Sequence, residues 1–132
     1  SWRKKSIETW DYKMFFFDTY ALFEIAEKNE NYEKYNGFPL IVCILNIAEL
    51  YGTVLREFGE EKADGLYGKF VFQIVEITPE IMIEAVKFRY DNRKEDVSLP
   101  DAVGYLLAKK HKLKFLTGDK FFEDKNNVEF VK

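Results

Sequence analysis

Histidine and cysteine are nearly missing from this sequence: His111 and Cys43 stand alone among 132 residues. One cysteine forms neither an internal disulfide nor a cysteine-based zinc site, and this usage suits a reduced, cytoplasmic protein. Within its apolar run, Cys43 is expected to act as a small buried hydrophobe. One histidine excludes, within a single subunit, histidine-pair catalysis and two-histidine metal sites. His111 follows two lysines, and a helix-end or surface position is expected for it. Glycine forms no phosphate cradle. Neither GxxxxGK[ST] nor GxGxxG occurs, Gly65-Leu66-Tyr67-Gly68-Lys69 lacks both spacing and hydroxyl, and no GxSxG elbow is present. No apolar run approaches the ~20 residues that cross a bilayer, and no secretory signal is evident, so a protein without a membrane partner is expected. A formal net charge of -3 argues against a generally basic, nucleic-acid-coating surface, though not against a local basic groove.

What is present suits one compact domain, with 47% apolar residues to fill a core. Residues 1–13, SWRKKSIETWDYK, are polar and basic at the start; they suit an extension, a cloning remnant or an N-terminal arm, with residues 14–132 as the domain. Met14-Phe15-Phe16-Phe17 is a continuous apolar run closed by Asp18-Thr19, as expected of a central strand buried on both faces. A helix follows, with Ala21, Leu22, Ile25 and Ala26 inward and Glu24, Glu27, Lys28 and Glu30 solvated. A second strand is expected over Phe38 to Ile44. From Leu45 to Phe58 the period is helical, with Ile47, Ala48, Tyr51, Val54, Leu55 and Phe58 on one side and Glu49 apart from them. Another helix is expected over Glu60 to Phe72, a short strand over Ile74 to Ile77, and a helix from Thr78-Pro79 to about Asn92 with Ile81, Met82, Ala85 and Phe88 inward.

The stretch Ser98 to Asp119 organises the rest. Ser98 and Asp101 have capping-box spacing with Pro100 in the first turn, and Lys109, Lys110, His111 and Lys112 put positive charge at the helix end. Lys114 to Thr117 reads as a strand, Gly118 as a turn, and Val128 to Val131 as an edge strand. Alternating strands and helices predict an α/β fold, a three-layer sandwich with a mostly parallel sheet of about four to five strands flanked by helices. In such sheets ligands gather beyond the carboxyl ends of strands, where Asp18 and Asp119 would lie. Each acid also has an ordinary alternative. Asp18 and Asp101 suit helix caps, Asp119 a turn, and Glu49 a solvated helix face. Were they to converge, two bare carboxylates ~4 Å apart would repel by about 4 kcal/mol at an effective dielectric near 20. A hard divalent cation, Mg²⁺ or Mn²⁺, would relieve that.

In this order FFFDTYAL, NIAELYG, LPDAVGYLLAKKHKL and FLTGD resemble the PIN domain, particularly the VapC-type toxins of prokaryotic toxin–antitoxin pairs. The resemblance spans nearly everything from Met14 onward. It implies that Asp18, Glu49, Asp101 and Asp119 form an acidic Mg²⁺ or Mn²⁺ site, supported by Thr117, Thr19 and Asn46. The implied activity is endoribonuclease cleavage of single-stranded RNA by metal-activated water, leaving a 5′-phosphate and a 3′-hydroxyl. A homodimer and a small antitoxin partner are implied too. Lys109, Lys110, Lys112 and Lys120 are candidate RNA contacts, and Tyr20, Tyr105 and Phe122 candidate stacking surfaces. The sequence departs from the pattern at Phe121, where such toxins often carry a further acid; Glu123 and Asp124 stand nearby. Phe17 precedes Asp18, against the paired acids of a receiver domain, and Asp18-Thr19-Tyr20 lacks the D-x-D of a haloacid-dehalogenase-type phosphatase. The alternative is a PIN-like module that binds RNA or protein with little nuclease activity.

Overall fold

Three consecutive phenylalanines, Phe15–Phe17, form strand β1, and all three are buried. Side chains alternate across a strand, so Phe16 enters one apolar core while Phe15 and Phe17 enter another on the opposite face. A strand loaded on both sides belongs at the centre of a covered sheet. The computed structural model describes residues 14–132 and places β1 there; the N-terminal arm expected over residues 1–13 lies outside the described residues. The sheet has the order β3-β2-β1-β4-β5, with β2 at Leu40–Val42, β3 at Phe72–Ile74, β4 at Lys114–Thr117 and β5 at Val128–Phe130. Every pairing is parallel, with Phe16 opposite Ile41 and Phe115.

Helices cover both faces, giving the three-layer α/β architecture that the alternation predicts. Helices α4 (Pro79–Asp91) and α5 (Leu99–Lys110) close over Phe16, Ile41 and Phe115. On the other face α1 (Thr19–Ala26), α2 (Ile44–Phe58) and α3 (Glu60–Lys69) pack over Phe15, Phe17, Val42 and Leu116. The predicted start signals operate: the Thr78 hydroxyl accepts from the Ile81 N–H and the Ser98 hydroxyl from the Asp101 N–H, each at 3.2 Å. His111 caps the end of α5.

Three local expectations change. The third strand begins two residues before the expected Ile74, because α3 ends at Lys69, Phe70 is already extended, and Phe72 and Ile74 pair with Leu40 and Val42. Along α2 the buried line is Asn46, Leu50 and Val54, while Ala48, Leu55 and Phe58 face solvent. The hydrophobic period was sound, but its phase is set by the buried polar Asn46. The second strand is also shorter than Phe38 to Ile44, since Ile44 already begins α2.

Close approach of α5 to the sheet depends on Gly104. A Cβ there would stand 2.9 Å from Phe16 Cε1 and 3.1 Å from Phe115 Cε1. Gly104→Ala should therefore lower the thermal melting point, because overpacking two buried rings costs about 1–3 kcal/mol against a helix-propensity gain of at most ~1 kcal/mol. A variant melting at or above the parent would show that the rings yield freely.

Candidate active site

The chain runs outward from β1 to β2 and β3, then returns to lay β4 along the other side of β1. Order therefore reverses between β1 and β4, and the crevice beyond their carboxyl ends is where α/β sheets gather ligands. Asp18 follows β1 directly, and Asp119 follows β4 across Gly118. Helix α5 brings Asp101 in its first turn, and α2 brings Glu49 in its second. All four line one cavity of about 680 Å³, together with Thr19, Tyr20, Phe23, Glu24, Thr53, Gly118, Lys120 and Lys132.

Asp18 is the anchor, with only 1% of its surface exposed. Its Oδ1 accepts from the Thr19 N–H at 2.8 Å and its Oδ2 from the Thr117 hydroxyl at 2.7 Å. Thr117 accepts in turn from the Asp119 N–H at 3.0 Å, so one buried threonine fixes both strand-end acids. Asn46 donates to the Thr19 hydroxyl at 3.2 Å and accepts from the Cys43 N–H at 3.0 Å, which ties α1 to the start of α2. The three supporting residues named from the sequence thus meet in one network around Asp18. Cys43 is a free, buried thiol within it, pushed up in pKa mainly by burial.

Burial raises the Asp18 pKa well above the ordinary carboxylate value, and the neighbouring Asp101 adds to the rise; the Thr117 and Thr19 hydrogen bonds pull the other way. Asp101 is pushed up to about 6, first by burial and then by the Glu49 and Asp119 charges, against hydrogen bonds with Asp18 and Ser98. Asp18 and Asp101 are therefore both biased by burial toward holding a proton. Among the described residues no three acidic, histidine or cysteine side chains close into a group that could hold a metal ion. The donor set itself is all oxygen and negatively charged, which is the chemistry a hard divalent cation takes. In that respect the residues fit the ion implied by the sequence.

Other candidates separate. Lys120 lines the cavity, but Lys109 lines a different hollow with Lys114, Asn126 and Asn127, its ammonium 5.2 Å from the Tyr105 ring. A helix rises ~1.5 Å per residue, so Lys109, Lys110 and Lys112 are carried toward the opposite edge of the sheet from Asp101. Tyr20 lines the cavity, whereas Tyr105 and Phe122 are core residues, 3% and 0% exposed. Phe121 packs edge-on against Phe88 and Phe122, and neither Glu123 nor Asp124 lines the cavity. Sequence reasoning missed Thr53, Phe23, Glu24 and Lys132. Thr53 was findable, lying one helical turn beyond Glu49, and Phe23 and Glu24 lie one turn beyond Tyr20; nothing near Lys132 in the sequence marks it.

Both raised carboxyl groups carry the same sign of linkage. Their folded pKa values exceed the unfolded value near 4, so their contribution to stability is fully present below about pH 4 and is lost as pH rises through about 6 and beyond. In EDTA, Asp101→Asn should melt close to the parent at pH 4 and above it at pH 7.5, by about 3 °C or more. A gap between the two melting curves that does not change with pH would contradict the charge crowding described here.

Comparison with known proteins agrees with this architecture. No curated protein matches the sequence. Among solved structures, Mycobacterium tuberculosis VapC20, described as a sarcin–ricin loop cleaving toxin, superposes with a TM-score of 0.72 at 16% identity, covering 89% of this chain and 99% of that one. A toxin–antitoxin complex from Klebsiella pneumoniae gives 0.66 at 20% identity over 88% and 95%. PAE2754 from Pyrobaculum aerophilum gives 0.62 at 18% identity over 89% of each chain. The PIN domain family model matches residues 15–127, which takes in all four acids and every strand except β5. With that match spanning most of its length, the chain belongs to the PIN domain family.

Proposed function

We propose that this protein is a metal-dependent endoribonuclease that cleaves single-stranded RNA, and that it is the toxin of a toxin–antitoxin pair. The observation that carries the reading is the convergence of Asp18, Glu49, Asp101 and Asp119 on one cavity at the strand-order reversal. Membership in the PIN family and the fold shared with a sarcin–ricin loop cleaving toxin and with a toxin–antitoxin complex support it. Asp18, Asp101 and Asp119 would hold Mg²⁺ or Mn²⁺, which when bound supplies positive charge to a scissile phosphate and acidifies water.

The protein's own part is positioning. Thr117 and the Thr19 N–H hold the Asp18 carboxylate in one orientation, and Asn46 keeps Thr19 in place. Glu49 is half-buried on the wall formed by α2, free to orient the attacking water and accept its proton. Lys120 on the rim meets the phosphate backbone. The partners proposed with this activity are an antitoxin that covers the acidic cavity and a second copy of the chain. A second reading, a PIN-like module that binds RNA or protein without cutting, is favoured by Phe121 and by the absence of a closed three-ligand group among the described residues.

The deciding experiment incubates the purified chain with end-labelled single-stranded RNA in Mg²⁺, Mn²⁺ or EDTA. Cleavage is expected only with a divalent ion, and Asp101→Asn should reduce it by on the order of 100-fold or more. Undiminished cutting by that variant would discard the nuclease reading, and RNA bound but left intact in every metal would establish the binding module. Thr117→Val should cost about 10- to 100-fold, with a raised metal requirement, because it frees the Asp18 carboxylate to turn.

A further inference from the structure

We propose that Lys132 is a substrate-binding residue of this cavity, clasping the phosphate that neighbours the scissile one on a single-stranded RNA; the inference rests on the nuclease reading above. The cavity is lined by five acids, Asp18, Glu24, Glu49, Asp101 and Asp119, and by two cations, Lys120 and Lys132. A polyanion meets repulsion at such a surface unless cations are fixed beside the acids. Lys120 sits next to Asp119 in sequence, while Lys132 approaches from the far end of the chain. Among the described residues no ion pair to a cavity carboxylate neutralises Lys132. Its ammonium is exposed, 5.8 Å from the centre of the Tyr20 ring, on the wall that Tyr20, Phe23 and Glu24 of α1 form.

The backbone that delivers this lysine is held on several sides. Val131 donates to the Thr117 carbonyl at 2.9 Å, extending β5 toward the site. The Tyr32 hydroxyl donates to the Val131 carbonyl, and the Asn31 and Asn29 side-chain amides reach the Lys132 main-chain oxygen at 3.1 and 3.5 Å. These three residues come from the 3₁₀ turn Glu30–Tyr35 and its cap. Gly118 completes the seat, since any Cβ there would collide with the Tyr20 ring and the Val131 carbonyl oxygen. A surface lysine usually has no such mooring. Here two asparagines hold its main-chain oxygen, and Tyr32 and Thr117 hold the residue before it, at the lip of an acidic cavity. Placement on the α1 wall, rather than against the Asp18–Asp101 pair, assigns the ammonium to a flanking phosphate, and the Tyr20 and Phe23 rings offer the attached base an apolar face.

The test compares the parent, Lys132→Ala, Lys132→Arg and Asn31→Ala, with melting temperature as the control for folding. Cleavage of a fluorescein-labelled single-stranded RNA in Mg²⁺ gives kcat and KM, and anisotropy with Ca²⁺ replacing Mg²⁺ gives Kd across a salt series. Lys132→Ala should raise KM and Kd about five- to tenfold with kcat within about twofold, and should flatten the dependence of log Kd on log salt by about 0.7. Lys132→Arg should restore both, and Asn31→Ala should fall between. If the parent cuts RNA while Lys132→Ala matches it in KM, Kd and salt slope, the inference is overturned and the nuclease reading stands; if the parent binds RNA without cutting it, the nuclease reading falls and the inference with it. If the parent neither cuts nor binds RNA, both fall together.

Discussion

A carboxylate with almost no access to water has to be held by other donors, and Asp18 is held by two: the Thr117 hydroxyl and the Thr19 N–H. Leaving a buried acid unpaired costs more than the net gain of most hydrogen bonds, so these donors are obligatory rather than decorative. Their consequences spread through the fold. Thr117 belongs to β4, Thr19 opens α1, and Asn46 links Thr19 to the start of α2. The arrangement that makes Asp18 tolerable in the interior is thus the same arrangement that joins β1 and β4 to α1 and α2. Asp101 then brings a second carboxyl group into the same cavity, and burial pushes the pKa of both upward. Local stability is given up to keep charge in a confined place, as functional sites commonly do.

Much of this was legible beforehand because it rests on local chemistry. Phe15 to Phe17 could only be a strand covered on both faces, and Thr78 and Ser98 announced their helices through hydroxyls that do accept the expected N–H groups. The four acids stood out by their places at element ends. What local chemistry could not supply was phase and distance. On α2 the apolar residues were right in kind, yet Leu55 and Phe58 face outward because Asn46 rotates the helix to reach Thr19. β3 was placed late because Phe72 resembles a helix end until its pairing with Leu40 is known. Lys109 and Lys110 at the end of α5, and Lys112 beyond it, looked close to the site in sequence and do not line the cavity, since a helix converts sequence proximity into length. Lys132 was invisible for the opposite reason: its neighbours in space, Asn29, Asn31 and Tyr32, are about a hundred residues away.

Phe121 shows how one substitution of character redistributes roles. Where the resembled toxins often carry an acid, this chain places a ring that meets Phe88 and Phe122 edge-on and lies under the Lys125 ammonium at 4.4 Å. That corner contributes to packing and not to the cavity. Negative charge is instead supplemented by Glu24 from α1, on the same wall as Lys132. The acidic centre is consequently flanked by a mixed rim, with aromatic, anionic and cationic groups side by side.

The contact between Asp18 and Thr117 spans 99 positions of sequence, and the strands carrying them lie side by side at the middle of the sheet. A ribosome that has made Asp18 reaches Thr117 only 99 positions later. Until β4 has emerged, a nascent chain has an incomplete sheet, no partner for the Asp18 carboxylate and no Asp119. Such distant pairing is closed late, after the chain has paid the entropy of bringing its ends together. Asp18 is thus the first of the four acids to be made, and it gains its second donor only once Thr117 has followed.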